Sequence, residues 1–301
     1  MDFVSGLVYG LRVASTIVVL PLYLLVLHAV HRQKKTLSPS FVAVFISAGA
    51  ADVLLLCHFL LFLLLPVVFR PWLELLDSSW LLTAVSMSGV WGLYYAQVAG
   101  VLGLSLNRYC AVVTPLAYKR GLSKSKLRTF LLLQWLLPMS VNLPFFMHPR
   151  FQAQITVNGS EAYPQIADPE VSSAYFAASV VVESFVLTPL FLLIYIRIGF
   201  SLWRGISGSP SSVPSSVQRS DKRRASKLTL VGLLTTLVYV VMSSSNLALT
   251  ALPMAGAGSY DSWPMLSTVT LFVFANHLFC FITPLSMLAF SAAMKTSIRR
   301  S

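Results

Sequence analysis

The amino-acid sequence predicts an all-α integral membrane protein, a bundle of seven helices with its amino terminus outside the cell and its carboxyl terminus inside. Apolar residues make up 56% of the chain and charged residues 11%, whereas soluble domains average about 45–50% and about 25%. The apolar residues also fall into seven blocks, each long enough to cross a hydrocarbon core about 30 Å thick. The basic residues lie mainly between alternate blocks, which indicates the orientation.

The seven blocks are predicted to be helices, because a segment in lipid must satisfy its backbone polar groups internally. Barrel strands would be shorter and would alternate polar with apolar residues. The blocks cover residues 8–30, 41–69, 80–108, 127–147, 174–203, 228–253 and 263–290. They are predicted to form a single domain over residues 1–301, with residues 291–301 as a cytoplasmic tail.

The net charge of +12 could suggest nucleic acid, but the distribution of the basic residues decides against that partner and in favour of a lipid bilayer. Eighteen of the 22 lysines and arginines lie at one side of the predicted membrane, in alternate connections and in the tail. Only Arg70 and Arg150 lie in the connections on the other side. Lysine and arginine are retained on the cytoplasmic side, so the amino terminus is predicted to be outside.

Two modification motifs agree with this topology. Asn158-Gly159-Ser160 is a glycosylation sequon in the fourth connection, which the charge distribution assigns to the outside. Ser226 follows Arg223 and Arg224 in the fifth, cytoplasmic connection. That pattern is typical of a site for a basophilic kinase, and the alternative is a plain cytoplasmic charge anchor.

The three cysteines are Cys57, Cys110 and Cys280, and all of them lie in predicted spans or at an inner end. A disulfide between the outer loops is therefore not expected. The outer face is predicted to be held by packing alone.

Charged residues inside the spans are the first candidates for a functional site, because a charge in lipid is costly and is expected to face the bundle interior. Asp52, Arg108 and Glu183 meet this description. Glu183 lies toward the outer part of the fifth span, where it could meet a ligand or Arg12, and the sequence leaves both open.

Further candidate residues follow from helical geometry. On a helix that turns about 100° per residue, some side chains of the third span share the direction of Arg108 within about 60°. They are Thr83, Met87, Tyr94 and Gln97. We expect these side chains and Glu183 to line a ligand site in the bundle, and the alternative for each of them is ordinary core packing.

The inner end of the third span carries the most specific motif of the chain. It reads Leu106-Asn107-Arg108-Tyr109, followed by Pro115-Leu116. This segment resembles the Asp-Arg-Tyr motif and following Pro-Leu of rhodopsin-like G-protein-coupled receptors, and most closely the nematode serpentine chemoreceptors of class V or class G. Supporting residues in other spans are Asp52, Trp135, Pro138, Pro189, Tyr195, Thr283 and Pro284.

The sequence departs from the rhodopsin-like pattern in ways that bear on activation. Asn107 replaces the usual acid, the sixth span lacks Cys-Trp-x-Pro, and Met287 stands where Asn-Pro-x-x-Tyr has its tyrosine. Such losses are common among nematode chemoreceptors, so they favour that family over hormone or amine receptors.

The resemblance implies a chemosensory receptor at the plasma membrane, including that of a sensory cilium. Such a receptor binds a small extracellular ligand and activates a heterotrimeric G protein. By the same resemblance, Asn107, Arg108 and Tyr109 form the switch that contacts the G protein. Asp52, Thr283 and Pro284 would belong to a polar network, which in some rhodopsin-like receptors binds sodium.

The rival functions are weaker. The seventh span holds no lysine, which excludes a retinal protein, and no cofactor is predicted. The histidines lack paired ligand spacing, so no metal site is predicted. Gly205-Ile206-Ser207-Gly208 matches the rhomboid-type G-x-S-G, but it lies in the serine-rich cytoplasmic loop, where a preorganised oxyanion site is not expected, so no enzyme is predicted. The main alternative is a seven-span transporter of sugars or amino acids, although the internal repeat expected of such proteins is not visible.

The predicted topology can be tested at Asn158. Expression in a glycosylating cell should give a mass shift that disappears in the Asn158→Gln variant, because only an outside sequon meets the glycosylation machinery. A carboxyl-terminal tag that is accessible to antibody in intact cells would contradict the orientation.

Overall fold

The computed structural model describes most of the first two thirds of the chain and smaller parts of the remainder. The described residues are 3–32, 34, 38–114, 118, 123–158, 161–207, 230, 232–248, 275–276, 278–280 and 282. Within these residues the protein is mostly helical, as the sequence predicts. Thr283, Pro284, Ser226 and the tail lie outside the described residues.

The long helices are described in chain order. The first is Phe3–Arg32, and the second is Pro39–Phe59 with a π-helical continuation, Leu60–Leu64, and a final α-helical turn, Leu65–Val68. A short helix, Arg70–Ser78, leads to the third long helix, Trp80–Val113. We term it the outer helix, because its side of the bundle is predicted to lie outside the cell. The fourth is Lys124–Val141 with a further turn, Pro144–Met147. The fifth comprises Pro169–Val181, the π-helical stretch Val182–Leu187, and Thr188–Ser207.

Four stretches of the described chain are long and apolar enough to cross a membrane. They are Pro39–Phe62, Trp80–Val113, Lys124–Met147 and Pro169–Ser201. Thr16–Arg32 and Gly232–Ala248 are shorter apolar helices. These segments support a protein that crosses the membrane several times, and the full set of seven spans and the side of each terminus stay predictions.

The third long helix lies at the centre of the bundle, in contact with the second, fourth and fifth. In its most apolar window 67% of the residues are buried, against 22% for the fourth helix, which presents most of its surface outward. Gly100 permits close approach, since a Cβ there would lie 2.8 Å from the Cα of Ala48 and 2.8 Å from the Gln134 amide nitrogen. Small residues let helices in lipid pack closely, so this glycine brings the second and fourth helices against the third.

Each π-helical stretch ends two residues before a proline. The N–H of Leu65 donates to the carbonyl of Leu60, and the N–H of Thr188 donates to that of Glu183, each five residues back. Pro66 and Pro189 come next and have no N–H to donate, and in a regular α-helix their rings would clash with the carbonyl four residues earlier. The π geometry shifts the helical register where proline would break it, and such bulges are frequent at functional sites.

The first bulge leaves the carbonyl of Leu61 without its helical donor, because Leu65 donates to Leu60 and Pro66 has no N–H. The indole N–H of Trp72 donates to this carbonyl at 2.7 Å. Trp72 lies on the outer helix Arg70–Ser78, so this bond attaches the outer helix to the end of the second long helix. The bond gives the Leu61 carbonyl a hydrogen-bond donor, which lipid cannot provide.

The all-α prediction needs one correction. Residues Ala153–Asn158 and Glu161–Ile166 form a two-stranded antiparallel hairpin in the fourth connection, with Ala153 opposite Ile166 and Asn158 opposite Glu161. The buried side chain of Ile166 joins the main hydrophobic core, which also contains Phe145. The hairpin is held by tertiary contact with the helices, and a short segment of this kind gives little signal by its sequence pattern.

Packing is also not the only interaction that holds the outer face. Arg150 donates to the carboxylates of Asp168 at 2.7 Å and Glu170 at 3.0 Å. Asp168 caps the fifth long helix by accepting from the N–H groups of Glu170 and Val171. The Arg150 hydrogen bond, followed by the cap, lowers the pKa of the Asp168 carboxyl, so this contact is present at neutral pH and is lost only as the pH falls through that lowered pKa.

A Trp72→Phe variant tests the attachment of the outer helix. The ring is retained but the Leu61 carbonyl loses its donor, which should lower the free energy of unfolding by about 1 kcal/mol or more. Thermal unfolding of the purified protein measures the effect. Trp80→Phe is the matched control, because the Trp80 side chain is 60% exposed, and an equal loss in both variants would contradict the assignment.

Candidate functional site

A buried carboxylate joins three helices in the half of the bundle that is predicted to lie outward. Glu183 is 0% exposed and belongs to the π-helical stretch of the fifth long helix. Its carboxylate accepts a hydrogen bond from the hydroxyl of Tyr95 at 3.2 Å and one from the amide of Asn246 at 3.0 Å. Tyr95 lies on the third helix and Asn246 on the segment Gly232–Ala248, so these bonds form a junction of three helices, which we term the outer junction.

Aromatic rings surround the outer junction. The Trp91 ring lies 6.2 Å from that of Tyr95, 5.8 Å from that of Tyr175 and 5.4 Å from that of Phe176, measured between centroids. Tyr175 also donates to Asn142 at 3.0 Å, which ties the fifth helix to the fourth. The carboxylate of Glu183 therefore lies beside a cluster of rings with few polar groups, as is typical of small-molecule sites.

The four third-helix residues predicted to line a ligand site are all buried, at 0–2% exposure, but they do not lie together. Thr83 bonds the carbonyl of Leu76 at 2.7 Å and so anchors the end of the outer helix. Met87 belongs to the main hydrophobic core. Tyr94 lies within electrostatic range of Glu183, whereas Gln97 lies about a turn deeper, so the structure brings only Tyr94 next to Glu183.

Gln97 belongs instead to a polar network in the middle of the bundle. Its amide donates to the thiol of Cys280 at 2.9 Å, and Asp52 lies close by. The hydroxyl of Tyr23 donates to the Asp52 carboxylate. Asp52 is 1% exposed, so this network joins parts of four predicted spans.

A second junction lies near the opposite end of the third helix. The guanidinium of Arg108 donates to the hydroxyl oxygen of Tyr195 at 3.2 Å, and that hydroxyl lies 3.0 Å from the hydroxyl of Ser105. Ser105 donates to the carbonyl of Val101, so its oxygen accepts from Tyr195. The three residues form a chain of hydrogen bonds that runs in one direction from Arg108 to the main chain.

The Tyr195 ring also packs against the segment Gly232–Ala248. A Cβ at Gly232 would lie 1.9 Å from this ring, so only glycine permits the contact. The third helix, the fifth helix and this segment therefore meet again, and we term this the inner junction. Of the predicted switch residues, Asn107 is buried, while Arg108 and Tyr109 are half-buried.

The chain matches the family described as Serpentine type 7TM GPCR chemoreceptor Srv over residues 13–301. It belongs to the Srv family of serpentine chemoreceptors. Serpentine receptor class V-1 of Caenorhabditis elegans is 26% identical over 191 residues, which cover 60% of this chain and 59% of that protein. The match therefore spans about three fifths of the relative's length.

Membership of the Srv family decides between the two nematode classes that the third-span motif resembles, in favour of class V. It also identifies the chain as a member of a receptor family, which favours a receptor over the small-solute transporter. Within the described residues, no group of three or more His, Cys, Asp or Glu side chains is placed to hold a metal ion.

Sequence reasoning missed most partners of Glu183 and Arg108. Tyr95 is adjacent to Tyr94 but does not share the direction of Arg108, so the helical projection passed over it. Asn246 follows three serines inside an apolar span. Such a run of polar residues in a span indicates a functional position, so it could have identified Asn246. Tyr195 was noted only as a mark of resemblance, because its contact with Arg108 joins residues 87 apart in the chain.

Proposed function

We propose that this chain is a plasma-membrane chemoreceptor that binds a small extracellular ligand at the outer junction and activates a heterotrimeric G protein through Arg108. The observation that carries this proposal is that the same three elements meet at both junctions. Membership of a chemoreceptor family supports the general class.

The same two long helices run through both junctions, so a movement at one junction can be transmitted to the other. Glu183 and Tyr195 are twelve residues apart on the fifth helix, or roughly 18 Å at 1.5 Å per residue. Tyr95 and Arg108 are thirteen residues apart on the third helix, or roughly 20 Å. A ligand that shifts the fifth helix against the third at Glu183 would move Tyr195 relative to Arg108.

The contact that restrains Arg108 carries only one charge, that of the guanidinium itself. In related receptors an acid precedes this arginine and holds it by a charge-assisted bond, but this chain has Asn107, and the partner of Arg108 is the phenol of Tyr195. A guanidinium–phenol bond lacks the attraction between opposite charges that an arginine–carboxylate pair adds to its hydrogen bonds. A restraint that lacks the acid would let the unliganded receptor populate its active state, in the two-state description of ligand action.

Two further assignments belong to this proposal. Asn158 ends the first strand of the hairpin in the fourth connection, and we propose that its sequon carries a glycan. Ser226 lies in the loop that would face the G protein, beside Arg223 and Arg224. Asp52 and its network occupy the middle of the bundle, between the ligand and the G protein.

The switch is tested with two variants at the inner junction. Asn107→Asp should lower basal guanine-nucleotide exchange on a co-expressed G protein, because the new acid adds a charge-assisted restraint on Arg108. Arg108→Ala should abolish coupling while surface display is retained.

Arg204→Ala is the control for loss of positive charge, since Arg204 is exposed and contacts the Phe200 ring at 4.3 Å. Its coupling should resemble that of the wild type. Full signalling by the Arg108→Ala receptor would overturn the proposed contact and with it the main support for G-protein activation.

Phosphorylation of Ser226 is predicted to weaken coupling, because the phosphate adds negative charge beside two arginines that would contact the G protein. A Ser226→Ala receptor should therefore resist desensitisation when a basophilic kinase is activated. Ser212→Ala removes a serine of the same loop outside the basic motif and should desensitise normally. If Ser226→Ala desensitises as the wild type does, this site has no such role.

A further inference from the structure

The charge of Glu183 has only neutral partners within the described chain. Tyr95 and Asn246 both donate to its carboxylate, but neither carries a charge. The ion pairs among the described residues join Arg70 to Glu74, and Arg150 to Asp168 and Glu170, at the surface. An uncompensated charge inside a membrane protein is costly and commonly marks a functional site.

The tyrosines around Glu183 provide a second observation. Tyr94, Tyr95, Tyr175 and Tyr239 all lie within electrostatic range of its carboxylate. Tyr239 is 0% exposed, and its hydroxyl makes no hydrogen bond with any of the residues that the structure describes. A buried hydroxyl normally has a partner, so the outer junction offers a carboxylate and a hydroxyl that has no partner among the described residues.

The chemistry of these groups selects one class of ligand. A carboxylate repels anions, and a neutral ligand would leave its charge uncompensated. Aromatic faces attract cations through their quadrupole, and the rings of Trp91 and Phe176 beside Tyr95 offer an apolar wall for the remainder of a ligand. A protonated amine supplies the positive charge and also N–H donors for the Glu183 carboxylate and the Tyr239 oxygen.

We propose that the outer junction binds a small protonated amine, with the ammonium group on Glu183 and the apolar part of the amine against the ring of Trp91. This inference rests on the proposed function in taking the outer junction as the ligand site. Glu183 provides the charge-assisted bond and therefore selects amines over neutral molecules of the same shape. Tyr239 adds a second hydrogen bond to the same ammonium group.

The test compares amines with alcohols of matching shape. The purified receptor is titrated with 2-phenylethylamine and 2-phenylethanol, and with butylamine and butanol, and its thermal midpoint is recorded, since a bound ligand stabilises the fold. At least one amine should raise the midpoint at concentrations about tenfold or more below those needed for its alcohol.

Variants then assign the effect to Glu183. Glu183→Gln should raise the amine concentration for half of the midpoint shift by about tenfold or more without reducing surface display. Glu183→Asp keeps the charge and should keep the preference for the amine. Glu74→Gln is the matched control, because Glu74 is exposed and pairs with Arg70, and it should bind as the wild type does.

Arg12 is the competing partner, since its side chain lies outside the described residues. If Arg12 neutralised Glu183, the wild type would show no preference for amines and the Arg12→Gln variant would acquire one, and that outcome would overturn the inference. Equal responses to amines and alcohols, or no response to any amine, would overturn it as well.

The readouts separate this inference from the proposed function. An amine response that depends on Glu183, in a receptor that shows no nucleotide exchange, would support the amine site and contradict G-protein coupling. Basal exchange that depends on Arg108, without an amine response, would support coupling and contradict the ligand class.

Discussion

Backbone polar groups in lipid find no water, so each of them needs a partner within the protein, and much of this structure follows from that constraint. Pro66 and Pro189 lack the N–H that a helical residue donates, and a π-helical stretch precedes each of them in the second and fifth long helices. At the first bulge the freed carbonyl of Leu61 accepts from Trp72, which fixes the outer helix. The second bulge contains Glu183, so the same constraint shapes the candidate site.

The arrangement at the two junctions explains how distant residues of one bundle can depend on each other. The third helix is the common element, and Gly100 allows its neighbours to approach it closely. At the outer junction, Glu183 of the fifth helix accepts hydrogen bonds from Tyr95 of the third helix and from Asn246. At the inner junction, Tyr195 of the fifth helix accepts from Arg108 of the third helix and packs against Gly232. Packed helices have few alternative arrangements, so we propose that a displacement at one junction changes the contacts at the other.

Charge is distributed unevenly between these junctions. The outer junction has a carboxylate with neutral donors, and the inner junction has a guanidinium with neutral acceptors. Each charge is satisfied by hydrogen bonds but not by an opposite charge within the described chain. This distribution of charge is the basis for the two partners that we propose, an ammonium group at the outer junction and a protein surface at the inner one.

The family resemblance could be recognised in the sequence because it rests on a motif of neighbouring residues. The segment Asn107-Arg108-Tyr109 with its Pro-Leu predicts a nematode serpentine receptor, and the Srv match confirms it. The membrane class and mostly helical fold follow from composition, since lipid admits few structures. The hairpin Ala153–Ile166 was not predicted, because a short strand pair depends on the helices that support it.

For the candidate site as well, the sequence predicted one part and only the structure showed the other. Sequence alone determined that Glu183 and Arg108 are charges within spans and must therefore face the interior. The sequence did not determine their partners, since Tyr95, Asn246 and Tyr195 lie 63 to 88 residues away along the chain. A helical projection gives the direction of each side chain on its own helix, but which neighbouring helix it meets depends on crossing angles and close contacts. Those are set by packing at residues such as Gly100 and Gly232, so only the tertiary structure decided which side chains form the two junctions.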